Sequence, residues 1–332
     1  MPEPILKIEG LSKAFTSGKT KILAVNDISF TVEPGATVGI VGESGCGKTT
    51  LGRCVVNAHP ATAGKVLYRA ANGREYDLQN ISKKDLWEVR REVQMIFQDP
   101  YSSLDPRMTV FDIISEPLRA NFPYLTKQEM ADRIKPIAEK VGLNASYLKR
   151  YPHAFSGGQR QRIGIARALV LYPKLIVCDE CVSALDVSVQ AQVVNLLKDL
   201  QTEMNLTYLF ISHDLSVVEH ISTKVGVMYL GRMVEYASTS ELFEKPMHPY
   251  SEALLSAVPI ADPDISLMRI PLGGEIPNPS NAPSGCAFHP RCRYATEACS
   301  QNTPVFSEVS PSHFSACMRV KELNLVGITA KK

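Results

Sequence analysis

The sequence predicts an α/β fold carrying an all-helical insertion and an irregular, Cys/Pro-rich C-terminal extension. Three observations carry this expectation. Short apolar runs of strand length (residues 37–41, 93–97, 175–178 and 208–211) alternate with helix-compatible stretches. Residues 107–155 read as helix between two of those runs. From residue 246 onward lie eleven of the chain's 22 prolines, too many for a helix-rich domain.

The whole chain sets the bounds. At 332 residues it is long enough for two or three domains with a substantial core. Hydrophobic residues make up 45% and charged residues 21%, the balance of a globular protein. A net charge of +2 gives no electrostatic case for nucleic acid, so none is expected as a partner. No apolar run approaches the ~20 residues of a membrane span, and Met1-Pro2-Glu3-Pro4 is not a signal peptide. A cytoplasmic chain is the expectation, with its cysteines as reduced thiols or metal ligands. Cys46, Cys54, Cys178 and Cys181 lie beside or inside apolar runs and read as small buried fillers.

In chain order, residues 5–9 read as an opening strand and residues 28–32 as a second, with a polar turn between them. Phe15 falls in that interval; its ring could stack on a purine or simply pack in the core. Next comes Gly42-Glu43-Ser44-Gly45-Cys46-Gly47-Lys48-Thr49-Thr50, after an apolar strand and opening a helix. The spacing Gly-x4-Gly-Lys-Thr in that context is a phosphate-cradling loop. Glycines let the backbone wrap closely around a phosphate, and the helix N-terminus adds partial positive charge. Tyr68 marks a strand, and residues 83–91 an exposed charged helix. The strand at residues 93–97 exits through Gln98-Asp99-Pro100. In the helical stretch, Thr126 and Glu129 form a capping box, and Met130, Ile134, Ile137 and Val141 repeat at helical spacing. Pro136 should bend that helix or shift its start. Phe155-Ser156-Gly157-Gly158-Gln159 opens another helix and presents a second anion-facing end. The strand from Leu175 then delivers Asp179 and Glu180 at its carboxyl end. Ser183-Ala184-Leu185-Asp186 leads into a helix over 187–204, and the last strand ends in Ser212-His213-Asp214.

In this order the motifs closely resemble the ATP-binding subunits of ABC transporters, a P-loop NTPase fold with a RecA-like core. The resemblance covers residues 5–240. It departs at Phe155, where the family more often has Leu, and at Cys181, where Pro is usual and whose replacement is expected to loosen the turn that aims Glu180. It implies that Phe15 stacks on adenine, that residues 42–50 with Lys48 hold the phosphates, and that Thr49, Asp179 and Gln98 position Mg²⁺. Glu180 would polarise the attacking water, His213 steady the γ-phosphate, and Gln98 report that phosphate to a helical subdomain at about residues 100–170. Ser156, Gly158 and Gln159 would touch a nucleotide held by a second ATPase packed head to tail. The ATPase domain is then expected over residues 1–245 and the extension over 246–332.

That extension holds Cys286, Cys292, Cys299 and Cys317, with gaps of x5, x6 and x17. Zinc sites usually contain at least one tight Cys-x2–4-Cys pair, which is missing here. Four thiolates match the ligand number of a [4Fe–4S] cluster; a zinc site and plain thiols stay open beside it. With His248-Pro249-Tyr250 and Cys286-x-Phe288-His289-Pro290-Arg291-Cys292, the tail resembles that of dipeptide and oligopeptide importer ATPases. The body, in turn, resembles the second of their two non-identical ATPases. The partners so implied are a different ATPase chain, two transmembrane permeases and an extracytoplasmic solute-binding protein. The place so implied is the cytoplasmic face of the inner membrane. The rival reading is an ABC-type ATPase whose cysteine tail senses metal or redox state.

Overall fold

The computed structural model describes residues 3–18, 20–259 and 269–328. Two sheets organise it. The smaller is antiparallel, in the order β2 (Thr20–Val32), β1 (Leu6–Ser17), β4 (Ala63–Arg69), β5 (Glu75–Asp77). The larger has eight strands in the order β11 (Ser307–Ser310), β12 (His313–Ser315), β10 (Arg232–Ser238), β9 (Lys224–Tyr229), β3 (Thr37–Val41), β8 (Thr207–Ile211), β7 (Leu175–Asp179), β6 (Val93–Ile96). From β9 to β6 every pairing is parallel. Strands β3, β7 and β8 are buried along their whole length, as expected of a parallel sheet covered on both faces.

The helices are α1 (Lys48–Val55), α2 (Lys83–Glu92), α3 (Val110–Asn121), α4 (Lys127–Lys140), α5 (Gly157–Leu169), α6 (Val187–Met204), α7 (Leu215–Ile221), α8 (Thr239–Glu244), α9 (Pro249–Ser256) and α10 (Glu297–Gln301). One apolar cluster joins α3, α4 and α5 to one face of the large sheet, and it also takes in Tyr250, Leu255 and Phe288 of the extension. A second cluster fills the space between the small sheet, α1 and the opposite face. The extension is mostly irregular, yet its hairpin joins the large sheet, with Ser315 opposite Glu235 and Phe314 opposite Tyr236.

Three local expectations change. The opening strands are not short pieces flanking a turn: β1 and β2 form one long hairpin that absorbs three register shifts between Ile8 and Ala14. The helical stretch is α3 and α4 followed by two 3₁₀ turns, Ala145–Lys149 and Pro152–Ala154. Pro136 lies inside α4 without moving its start, which Thr126 and Glu129 fix by reciprocal capping.

Five parallel strands run side by side, so their carboxyl ends open on one edge. Along that edge lie Gln98 beyond β6, Asp179 and Glu180 at the end of β7, His213 beyond β8 and the glycine loop beyond β3. Ligands of open α/β sheets bind on this side.

Candidate nucleotide site

The glycine loop needs its glycines for two reasons. Gly47 caps α1 in the left-handed region (φ 105°), and a Cβ there would lie 2.0 Å from the Ala24 carbonyl oxygen. At Gly42 (φ 149°) a Cβ would lie 2.2 Å from the Met228 carbonyl oxygen. No side chain caps α1, and its first internal bond runs from the Leu51 N–H to the Gly47 carbonyl. The N–H groups of Lys48, Thr49 and Thr50 therefore have no helical acceptor and face an incoming anion. Cys46 fills space instead: its thiol is buried and pushed up by that burial, while its carbonyl accepts from the Gly231 N–H at 2.9 Å.

Around this loop the charged groups converge. Lys48 Nζ donates to the carbonyls of Gly42 (2.8 Å) and Glu43 (3.1 Å) and stands 3.8 Å from Glu180 Oε1. The Thr49 hydroxyl donates to Asp179 Oδ1 at 2.8 Å. Burial raises the Asp179 carboxyl, and the Thr49 bond pulls it back down. Such a buried acid beside a hydroxyl is suited to a divalent cation, whose charge would replace the missing solvation.

Glu180 occupies the left-handed region at φ 45°, an unusual conformation for a branched-out acid at a strand end. Its N–H donates to the Ile211 carbonyl (2.9 Å), and its own carbonyl accepts from Ser183 Oγ (2.8 Å) and the Ser183 N–H (3.1 Å). Cys181 follows Glu180 in this turn. Its side chain is buried beside Cys178, and the Ser183 bonds hold the backbone. The Glu180 carboxylate receives Gln98 Nε2 at 2.8 Å, with His213 Nδ1 at 3.5 Å from the same oxygen. Gln98, Glu180 and His213 come together, though they are scattered over more than a hundred residues of sequence. Gln98 spends its amide on Glu180 and makes no bond to Asp179 here.

Ser156 caps α5 in a reciprocal box with Gln159. A Cβ on Gly158 would meet Val189 of α6 at 2.4 Å, so close helix packing demands this glycine. Ser156 and Gln159 bond to each other, and a Cβ on Gly157 would meet Leu185 at 3.4 Å and the Tyr101 hydroxyl at 3.8 Å. Phe155 is buried, edge-on to Tyr147, and serves the helical core. Phe15 is 39% exposed, edge-on to His59 and beneath the Lys13 ammonium, so it is a surface ring on β1 and not a core residue.

The four tail cysteines line one small cavity with His248, Phe288 and Tyr294. All eight cysteines are free thiols. Burial pushes up Cys286 and Cys292, and takes Cys317 to about 11. Nearby backbone N–H groups, of Phe288 at Cys286, Tyr294 at Cys292 and Arg319 at Cys317, oppose this rise, while the His289 N–H donates to the Cys286 carbonyl at 2.9 Å. Thr296 Oγ1 lies 3.5 Å from Cys299 Sγ. Among the described residues, no group of three or more His, Cys, Asp or Glu forms an arrangement that could hold a metal ion.

Sequence reading missed two residues that grip the loop from the extension, Tyr250 and Arg291, both bonded to Glu43. The only sequence signal was an acid placed in a phosphate loop, which calls for a neutralising cation.

Comparison with known proteins decides the family. A model described as ABC transporter matches residues 25–183, and one described as oligopeptide/dipeptide transporter, C-terminal region, matches residues 234–299. The oligopeptide transport ATP-binding protein AppF of Bacillus subtilis (strain 168) is 50% identical over 325 residues, covering 95% of this chain and 97% of that protein. The chain belongs to the ABC transporter ATPases. A putative peptide import ATP-binding protein of Brucella abortus (strain 2308) is 49% identical over 316 residues, covering 95% of this ABC ATPase and 98% of that protein. Among solved structures, a dimeric ATP-binding cassette in a post-hydrolysis state with ADP and Pi aligns at a TM-score of 0.63. It is 25% identical and covers 70% of this chain and 98% of that one. CbiO1 of Clostridium perfringens, part of an ABC transporter complex, aligns at 0.63 with 26% identity, over 73% of this chain and 91% of its own.

Proposed function

We propose that this ABC ATPase powers a bacterial importer of peptides or a related solute. In this reading it works at the cytoplasmic face of the membrane, head to tail with a second, non-identical ATPase, on two permeases fed by a solute-binding protein. The observation that carries it is the convergence of Lys48, the Thr49–Asp179 pair and the Gln98–Glu180–His213 group on one sheet edge, while Ser156 and Gly158 open a separate helix, α5. One chain thus offers a complete phosphate-binding half and, separately, a signature half. The near-full-length likeness to peptide-import ATPases supplies the transport reading. Among the described residues no helix is long and apolar enough to cross a membrane, so the permeases would provide the path.

The chemistry follows from the geometry. Lys48 and the free amides of α1 neutralise and orient the triphosphate; Thr49 and Asp179 would hold Mg²⁺, which would supply positive charge to the phosphates. Glu180, already aimed by its backbone bonds, exchanges its contacts with Gln98 and Lys48 for the attacking water. His213 and Gln98 are then free to meet the γ-phosphate. Phe15, on the surface of β1, offers a face to the adenine. Ser156, Gly158 and Gln159 complete the site of the partner ATPase. Ser156→Arg should disable the nucleotide site whose glycine loop lies on that partner. Labelled-nucleotide trapping in the assembled transporter checks this, and a loss confined to the Lys48 site would overturn the head-to-tail assignment.

Cys286, Cys292, Cys299 and Cys317 are proposed to hold a [4Fe–4S] cluster. What supports this reading is that all four line one common cavity, and four thiolates are the ligand number of such a cluster. When bound, the cluster would staple an extension that has few apolar contacts of its own. Anaerobic purification with iron and acid-labile sulfide analysis should give about four of each per chain, the number set by the cluster type. Stoichiometric zinc, or four freely titrating thiols without iron, would overturn the assignment.

A further inference from the structure

The residue after the first glycine of the phosphate loop is Glu43, an acid where a polyanion must sit. Its carboxylate is only partly exposed, and among the described residues the cation paired with it comes from 248 residues away: Arg291 Nη1 donates to Oε2 at 2.7 Å and Nη2 to Oε1 at 3.0 Å. The guanidinium is nearly buried and fully oriented, because its Nε donates to the Gly273 carbonyl at 3.2 Å and it lies 5.9 Å from the Tyr229 ring. A second grip comes from the same extension. The hydroxyl of Tyr250, a wholly buried residue, accepts from the Glu43 N–H at 2.9 Å, and Tyr250 is wedged against Tyr229 and Phe288. That amide is therefore spent on the extension and not on phosphate. The loop is fixed at its entry by one bidentate ion pair and one backbone bond, and the N–H groups of Lys48, Thr49 and Thr50 are left for nucleotide.

We propose that Arg291 is a positioning residue for ATP, by which the C-terminal extension neutralises and orients the glycine loop through Glu43. A planar fork matches a carboxylate in a way that a lysine ammonium does not. An unpaired Glu43 would repel the triphosphate directly, in a site where low dielectric strengthens the repulsion. A purely structural ion pair shows the loss, and its recovery on removal of the acid, in thermal melting, whereas a positioning pair shows both in ATP affinity and KM.

The test uses the full chain and MgATP for affinity by calorimetry and folding by thermal melting, and the assembled transporter for KM and kcat by phosphate release. Arg291→Met should weaken ATP binding about tenfold and raise KM in parallel, with kcat changed less than about twofold, the pattern of lost ground-state binding. Glu43→Gln/Arg291→Met should recover most of that loss, and Arg291→Lys should fall between wild type and Arg291→Met. Tyr250→Phe, which keeps the ring and deletes only the acceptor, should weaken binding about threefold or less, the scale of one hydrogen bond. Unchanged affinity in Arg291→Met, or an equal loss in the double variant, would overturn the proposal. Should Arg291→Met fail to fold, Arg291→Lys against Glu43→Gln/Arg291→Lys makes the same comparison.

Discussion

The nucleotide edge and the cysteine-bearing extension are built on opposite plans. At the nucleotide edge, regular strands buried on both faces set the positions, and the polar groups merely project from their ends. In the extension, side chains bond to backbone and to one another across long separations. Tyr294 donates to Glu252 at 2.9 Å, the Val326 N–H donates to Glu252 at 3.0 Å, and Arg319 Nη1 donates to the Tyr294 carbonyl at 2.6 Å. The lesson concerns where rigidity comes from. A segment with little apolar surface of its own is ordered by borrowing the core of its neighbour and by satisfying buried polar groups one at a time.

The contrast is sharpest at Glu235, buried on β10. Its Oε1 accepts from the Met247 N–H at 2.6 Å and from His313 Nε2 at 2.7 Å, joining the edge strand of the ATPase to the last hairpin. Glu235→Ala should cost about 3–5 kcal/mol, because it strands His313 without a partner. The extension and core should still unfold in one transition, since Phe288 and Tyr250 sit in the shared apolar cluster. Two separate transitions in differential scanning calorimetry would break the comparison by showing an independent domain.

Glu180→Gln probes the other plan. Turnover in the assembled complex should fall by roughly 10²-fold or more while ATP still binds, the scale of a lost catalytic group. Hydrolysis near wild type would remove Glu180 from its role. Gly158→Ala asks whether α5 is placed by packing: the 2.4 Å approach to Val189 Cγ1 should cost about 1–3 kcal/mol in urea unfolding of the isolated chain. The smallest effect is expected at Phe15→Ala, about 1 kcal/mol in ATP affinity with no change in melting, since its ring is already exposed. Equal losses for ATP and for free triphosphate would take Phe15 away from the adenine.

Much of the nucleotide edge was legible in the sequence because each of its residues follows a strand or opens a helix, and such junctions carry local signatures. Gly42 and Gly47 announce a backbone that no side chain would allow; Asp179 and Glu180 end an apolar run; Thr126 and Glu129 mark a helix start. The long β1–β2 hairpin was not legible, because its register shifts break the alternation that identifies a strand. Nor was the exposure of Phe15, since a lone aromatic on a strand carries no sign of it.

What the sequence alone determined is therefore the set of chemical groups and the α/β frame that holds them, for these rest on periodicity and on short motifs. Only the tertiary structure decided which groups meet. Parallel pairing of β6, β7, β8 and β3 brings Gln98 and His213 to Glu180, and the return of the extension to the sheet sets Tyr250 and Arg291 on Glu43. The physical reason is the range of the information. A turn or a cap is specified by residues a few places apart, whereas an ion pair across 248 residues exists only after a shared core has paid the entropy of closing that loop.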